Sequence, residues 1–342
     1  MNPNKRMPEL DILKGLGILF VILGHSVPDF PINLRADFAS STVESVLYGF
    51  HMPLFFLSAG FVLQVSNNQE WLSLGWFYKK GKRLLVPYFV FSFFSLTLRS
   101  FFSAFTRSSV DIGASVYGIF FEGKYFWFLY VMFGVLTTIE ALRTLKISWG
   151  GQLLIALFFY CVGLYTESPF LCINRFGYYL IYTVLGMVVY HKKDVMRSLL
   201  GKCYIVLMMM CLFIAFYHLR LSDCLFVKEL CRFGMAISGT VVTYSVSLFI
   251  VDKSERLSDL LSYFGKTSLQ YYLVHMIIQL PIYYLVAKLS IHIPLLSVFM
   301  IFLITTLVSY LIVTVMCRIP ICCFLLGMPS RKNDLICRWN KK

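Results

Sequence analysis

Three ionisable side chains interrupt the apolar stretch LDILKGLGILFVILGH: Asp11, Lys14 and, eleven residues after Lys14, His25. On an α-helix that separation is about three turns plus 20°, so Lys14 and His25 share a face, roughly 16 Å apart along the axis. Asp11, one turn before Lys14, falls on nearly the same stripe. An imidazole titrates near the working pH and can take the proton from a hydroxyl nucleophile. A cation at the other end of the stripe can hold an anionic head. The spacing suits a long thin ligand with a charged end and a reactive tip, and acyl-CoA is built that way. Read alone, the stripe also allows a plainer account: Lys14 snorkels to an interface and His25 bonds to a neighbouring helix.

Other residues extend the pattern. His51 precedes Pro53, which lacks an N–H and frees backbone groups for contact; His275 lies in the middle of a late apolar run. Both are candidates for orienting an acceptor or supporting His25, and both could equally be helix–helix hydrogen-bonding groups. Lys79, Lys80, Lys82 and Arg83 form the densest basic cluster. Lys80 and Arg83 are candidates, with Lys14, for the phosphates of an acyl-CoA; contact with anionic lipid is the alternative. Arg99 follows in the same apolar run as a candidate contact to acceptor or donor. Trp127 belongs to an aromatic group that fits either an interfacial belt or a sugar-stacking surface.

The elements that must carry these residues follow from composition. Of 342 residues, 58% are apolar and only 14% charged, with 33 Phe and 21 Tyr. Globular chains have about 45–50% apolar and about 25% charged residues. A water-soluble fold cannot bury so much apolar surface under so few charges, so the expected class is an all-α polytopic membrane protein. Stretches of about 20 apolar residues occur ten times, near 10–28, 46–65, 84–105, 125–142, 149–166, 176–191, 203–219, 233–251, 268–289 and 294–316. Together they make one membrane domain over residues 1–342 with both termini on the same side.

Charge gives the side. The formal net charge is +14. The loops opposite the termini hold Arg35, Arg107, Lys124, Arg175, Arg220, Lys228, Arg232 and Lys288. All other basic residues except Lys14 and Arg99 fall on the terminus side. That side is expected to be cytoplasmic by the positive-inside rule, and the basic excess is read as topology, not as a nucleic-acid footprint. The first apolar run carries Lys14 and His25 and lacks a small-x-small cleavage site, so it reads as a retained span. The ten Cys show no metal-binding spacing, and a Cys224–Cys231 bridge is left open. No metal or bound cofactor is expected.

The stretch around Lys14 and His25, followed by GFHMPLFFLSAGF at Gly49–Phe61, resembles the membrane-bound acyltransferase family 3, which includes the fucose 4-O-acetylase-like enzymes and bacterial glycan O-acetylases. YKKGKRLLVPY at Tyr78–Tyr88, KYFWFLY at Lys124–Tyr130 and SLQYYLVH at Ser268–His275 are similar to further segments of that family. The resemblance implies a ten-helix fold that takes an acyl group, usually acetyl, from cytosolic acyl-CoA. It places the group on a hydroxyl of a sugar or glycan, or its lipid-linked precursor, at the opposite face. His25 then corresponds to the essential histidine. Lys14 stands where many members have Arg, keeping the charge without the bidentate fork. Ala59 stands at the usual Ser position, and Ser58 is given no catalytic role. The expected location is a bacterial inner membrane, with the bilayer, acetyl-CoA and a glycan acceptor as partners. A small-solute or glycan transporter with charges along its path is the competing class, and a scaffold in polysaccharide assembly is a third.

Overall fold

In the computed structural model the described residues are 7–65, 72–103, 110–166, 168–289 and 291–328, and every regular element among them is helical. Lys5, Arg6, Arg107 and the basic residues from Arg331 onward lie outside them. The helices are α1 (Pro8–Gly24), α2 (Phe38–Tyr48), α3 (His51–Val65), α4 (Leu74–Phe101), α5 (Ile112–Phe121), α6 (Trp127–Thr144), α7 (Trp149–Tyr165) and α8 (Ile173–His191). They continue as α9 (Lys193–Leu200), α10 (Cys203–Leu219), α11 (Leu225–Lys253), α12 (Glu255–Lys266), α13 (Ser268–Lys288), α14 (Pro294–Met316) and α15 (Pro320–Leu325).

Local chemistry sets their starts. Pro8 begins α1 where an N–H has no intrahelical partner anyway, and Glu9 and Asp11 sit in its electropositive first turn. Asp37, Ser73, Asp111, Ser148 and Ser254 cap α2, α4, α5, α7 and α12 through side-chain oxygens that accept backbone N–H bonds. At α2 the Asp37 carboxylate accepts from both the N–H and the hydroxyl of Ser40, which hold it below the ordinary carboxylate range. The break between α2 and α3 has an equally local cause. Pro53 has no N–H to give to the carbonyl of Gly49, so the helix loses one rung there. The chain turns through Phe50 N–H to Leu47 O instead.

Each of the ten expected apolar stretches carries helix. Six described helical segments are long and apolar enough to cross a membrane: Phe38–Val65, Leu74–Phe101, Phe170–His191, Leu225–Lys253, Ser268–Lys288 and Pro294–Met316. A seventh follows if α9 and α10, bent by 86°, form one broken span. The other expected spans fall short for identifiable reasons. α1 and α7 have 17 residues each, α1 carries Glu9, Asp11 and Lys14, and α6 ends on Glu140 and Arg143. Cys224 and Cys231 are both free, so the bridge left open by their spacing is not formed.

α1 lies at the centre, packed against α2, α3, α11, α12, α13 and α14. Glycines allow the tightest crossings. A Cβ on Gly15 of α1 would run into the Leu261 carbonyl of α12, and one on Gly265 into the Asp11 carbonyl. Gly60 of α3 and Gly186 of α8 meet the carbonyls of Thr183 and Leu57 in the same reciprocal way. Such small-residue contacts let backbones approach where lipid supplies no hydrophobic drive. The main core gathers Ile18, Val21, Ile22, Met52, Phe56, Tyr88, Phe126 and Tyr272 around the inner face of α1.

Candidate active site

A cavity of about 320 Å³ opens between α1, α3, α4, α6 and α13. Its charged end is made by Lys14, Lys80 and Arg83, with Ser268 opening α13 beside them. Beyond these the lining turns apolar, through Ile18, Val21, Met52, Phe55, Leu84, Phe128, Met132 and Tyr272. On α1 the lining residues are Lys14, Ile18 and Val21, and the next position on that stripe is His25. The cavity therefore follows the face that joins the cation to the imidazole and stops one turn short of it. The backbone N–H of His25 donates to the Val21 carbonyl at 3.0 Å, which fixes that last turn.

Three histidines meet beyond the apolar end. The ring of His25 lies 5.6 Å from that of His275 and 5.7 Å from that of Tyr48, while Tyr48 lies 5.1 Å from His51. The hydroxyl of Tyr48 is 3.1 Å from Nδ1 of His25. His51 Nδ1 bonds to the Leu47 carbonyl at 2.6 Å and His275 Nδ1 to the Tyr271 carbonyl at 2.9 Å, each four residues back on its own chain. His275 is fully buried and its Nε2 has no hydrogen-bond partner. Tyr272 links cluster and cavity: it lines the cavity, and its ring is 5.8 Å from that of His275. His25 itself caps the C-terminus of α1, where carbonyls lack intrahelical donors, and the Tyr283 hydroxyl donates to its carbonyl.

The structure thus collects most of the residues singled out by sequence. Lys14, Lys80 and Arg83 share one cavity end, and His25, His51 and His275 gather around Tyr48 and Tyr272 beyond the lining. Asp11, a candidate for contacting the acceptor or supporting the site, holds the Lys14 ammonium with its carboxylate at 2.9 Å. Lys80 also rests over the Trp76 ring, 5.9 Å from its centre. Ser58 lines the cavity but its hydroxyl donates to the Phe55 carbonyl.

Two further candidates lie outside the cavity lining. Arg99 lies exposed in the last turn of α4, with its guanidinium 5.4 Å from the centre of the Tyr125 ring. The helix ends two residues later. Trp127 does not line the cavity. It stacks on Tyr179, with the Arg175 guanidinium 4.9 Å from the centre of the Trp127 ring, and Tyr179 in turn stacks on Phe56. Its neighbour Phe128 is the one that reaches the cavity.

Sequence reading missed Tyr48, Tyr272 and Tyr283. Tyr48 stands three residues before His51, but on a helix that appeared continuous with it. Tyr272 and Tyr283 were two aromatics among many in a chain with 21 Tyr.

Comparisons with known proteins complete the picture. No curated protein and no solved structure matches the chain. A family profile described as an acyltransferase domain matches residues 7–314, a range that takes in α1 through nearly all of α14 and every residue of the cavity and the histidine cluster. With that match over nearly its whole length, the chain belongs to the membrane acyltransferase family 3.

Proposed function

We propose that the protein is an O-acyltransferase that moves an acetyl group from cytosolic acetyl-CoA to a hydroxyl of a surface or exported glycan, or of its lipid-linked precursor, with His25 as general base. The observation that carries this reading is the cavity running along the Lys14–Ile18–Val21 stripe toward His25. Its cationic mouth suits the phosphates of the donor, and its apolar bore suits the pantetheine arm and acyl tip. A membrane acyltransferase with this bore has no need of the permeation path a transporter requires. The proposal includes ten membrane crossings in a bacterial inner membrane, with the cationic mouth and both termini facing the cytosol.

In the proposed reaction Nε2 of His25 removes the proton of the acceptor hydroxyl as its oxygen attacks the thioester carbonyl. The carbon–sulfur bond then breaks. The CoA thiolate takes a proton, and the products are an O-acetyl ester and free CoA. General-base assistance of this kind contributes about 10²- to 10⁴-fold.

The test is transfer of label from radiolabelled acetyl-CoA to glycan in membranes that contain the protein. His25→Ala should lower transfer by roughly 10²-fold or more with protein level unchanged. Full transfer by that variant would overturn the assignment of the base. Solute movement without label transfer would overturn the acyltransferase reading of this chain.

A further inference from the structure

His51 and His275 share a device that His25 lacks. In each, Nδ1 faces a backbone carbonyl of its own chain. A carbonyl can only accept, so Nδ1 carries the proton and Nε2 is left as a lone pair. Both rings are locked in one tautomer, and neither can change it without losing a buried bond. His25 instead presents Nδ1 to the hydroxyl of Tyr48 at 3.1 Å. A phenol both donates and accepts. His25 is therefore the one imidazole of the three whose Nδ1 stays bonded whichever tautomer it takes.

We propose that Tyr48 is the positioning residue for His25, accepting the Nδ1 proton so that Nε2 is the nitrogen turned to the acceptor hydroxyl. The inference rests on the reading of His25 as base and deepens it. In the attack step Nε2 gains a proton and the ring becomes an imidazolium with hydrogens on both nitrogens. Nδ1–H then needs an acceptor, and the Tyr48 oxygen supplies it. When the proton passes to the leaving thiolate, the same bond returns the ring to its starting tautomer.

Three further observations fit this role. The Tyr48 ring packs edge-on against His25 at 63° and tilts over His51 at 48°, so its hydroxyl has little freedom to swing away. Tyr48 is the last residue of α2, delivered by the Pro53-dependent break. The carboxylate that could have taken the role, Glu44 one turn earlier on α2, is held by Arg35 through two bonds of 2.6 and 3.0 Å. The phenol, not an acid, backs this imidazole.

Tyr48→Phe removes the oxygen and keeps the ring. In the purified full chain, the expected result is a fall in kcat of about tenfold or more with the KM for acetyl-CoA changed less than about twofold, since the cationic mouth is untouched. The second measurement does not depend on turnover. With ¹⁵N-histidine in the full chain in nanodiscs, Tyr48→Phe should move the Nδ1 signal of His25 and leave those of His51 and His275 in place. An unmoved His25 signal, or a wild-type kcat in a folded variant, overturns the proposal. A wild-type protein inactive with acetyl-CoA would strike the acyltransferase reading alone, and the nitrogen signals would still decide whether Tyr48 holds His25.

Discussion

At the scale of single residues the cavity mouth is a matter of charge pairing. Lys14 and Asp11 hold each other at 2.9 Å, with Asp11 7% exposed. Removing only the cation takes the ammonium away from a nearly buried carboxylate, which lowers stability. Lys14→Met is therefore expected to lower thermal stability and to raise the KM for acetyl-CoA more than that for the acceptor. Adding Asp11→Asn should return most of the stability without returning donor affinity. A double variant with normal donor KM would remove Lys14 from the donor site. The Lys14–His25 relation was legible in the sequence because helical periodicity is fixed by backbone geometry. Likewise the basic cluster at Lys79–Arg83 announced a charged surface whichever ligand it meets. Tyr48 was not legible, since its role depends on a helix break that brings it beside a residue 23 positions away. The partner of Arg99 was not legible either, because the Tyr125 ring comes from a separate loop 26 positions on.

At the scale of elements, the reciprocal glycine contacts set how closely the site's helices lie. Gly265 abuts the Asp11 carbonyl and Gly15 the Leu261 carbonyl, so α12 is held against the stretch of α1 that carries Lys14. Gly265→Val would push α12 outward by its side chain and disturb the Asp11–Lys14 turn. A loss of about 1–3 kcal/mol is expected, read as a lower melting temperature together with weakened acetyl-CoA binding. Gly60→Leu at the α3–α8 crossing should cost a similar amount, and a melting temperature equal to wild type would contradict the packing described. Helix positions were readable from apolar runs, but the α2–α3 division was not. The run 46–65 looks continuous because apolarity is indifferent to a missing rung, and only the absent N–H of Pro53 marks it.

At the scale of the whole molecule, α1 is enclosed by six helices and supplies both ends of the candidate reaction path. Composition and the length of the apolar runs gave the all-helical membrane class, since over about 20 apolar residues a helix satisfies its own backbone in lipid. The number of crossings was less legible. Hydropathy counts stretches, whereas crossing also needs length, and helices such as α7 and α10 stop at 17 residues. The proposed sidedness makes a direct prediction. In a chain cleared of its own cysteines, a cysteine at Arg35 should react with an impermeant maleimide in intact cells. One at Lys253 should react only after lysis. The reverse pattern would invert the proposed orientation.

The bore that leads from the cations toward His25 is lined almost wholly by hydrocarbon and aromatic rings over its inner half. Water finds few bonding partners there, so a thioester lodged in it is shielded from idle hydrolysis until an acceptor arrives at the far side. In the proposed reaction, coupling between the two substrates would need no moving lid: dryness alone would leave the acceptor hydroxyl as the oxygen nucleophile within reach.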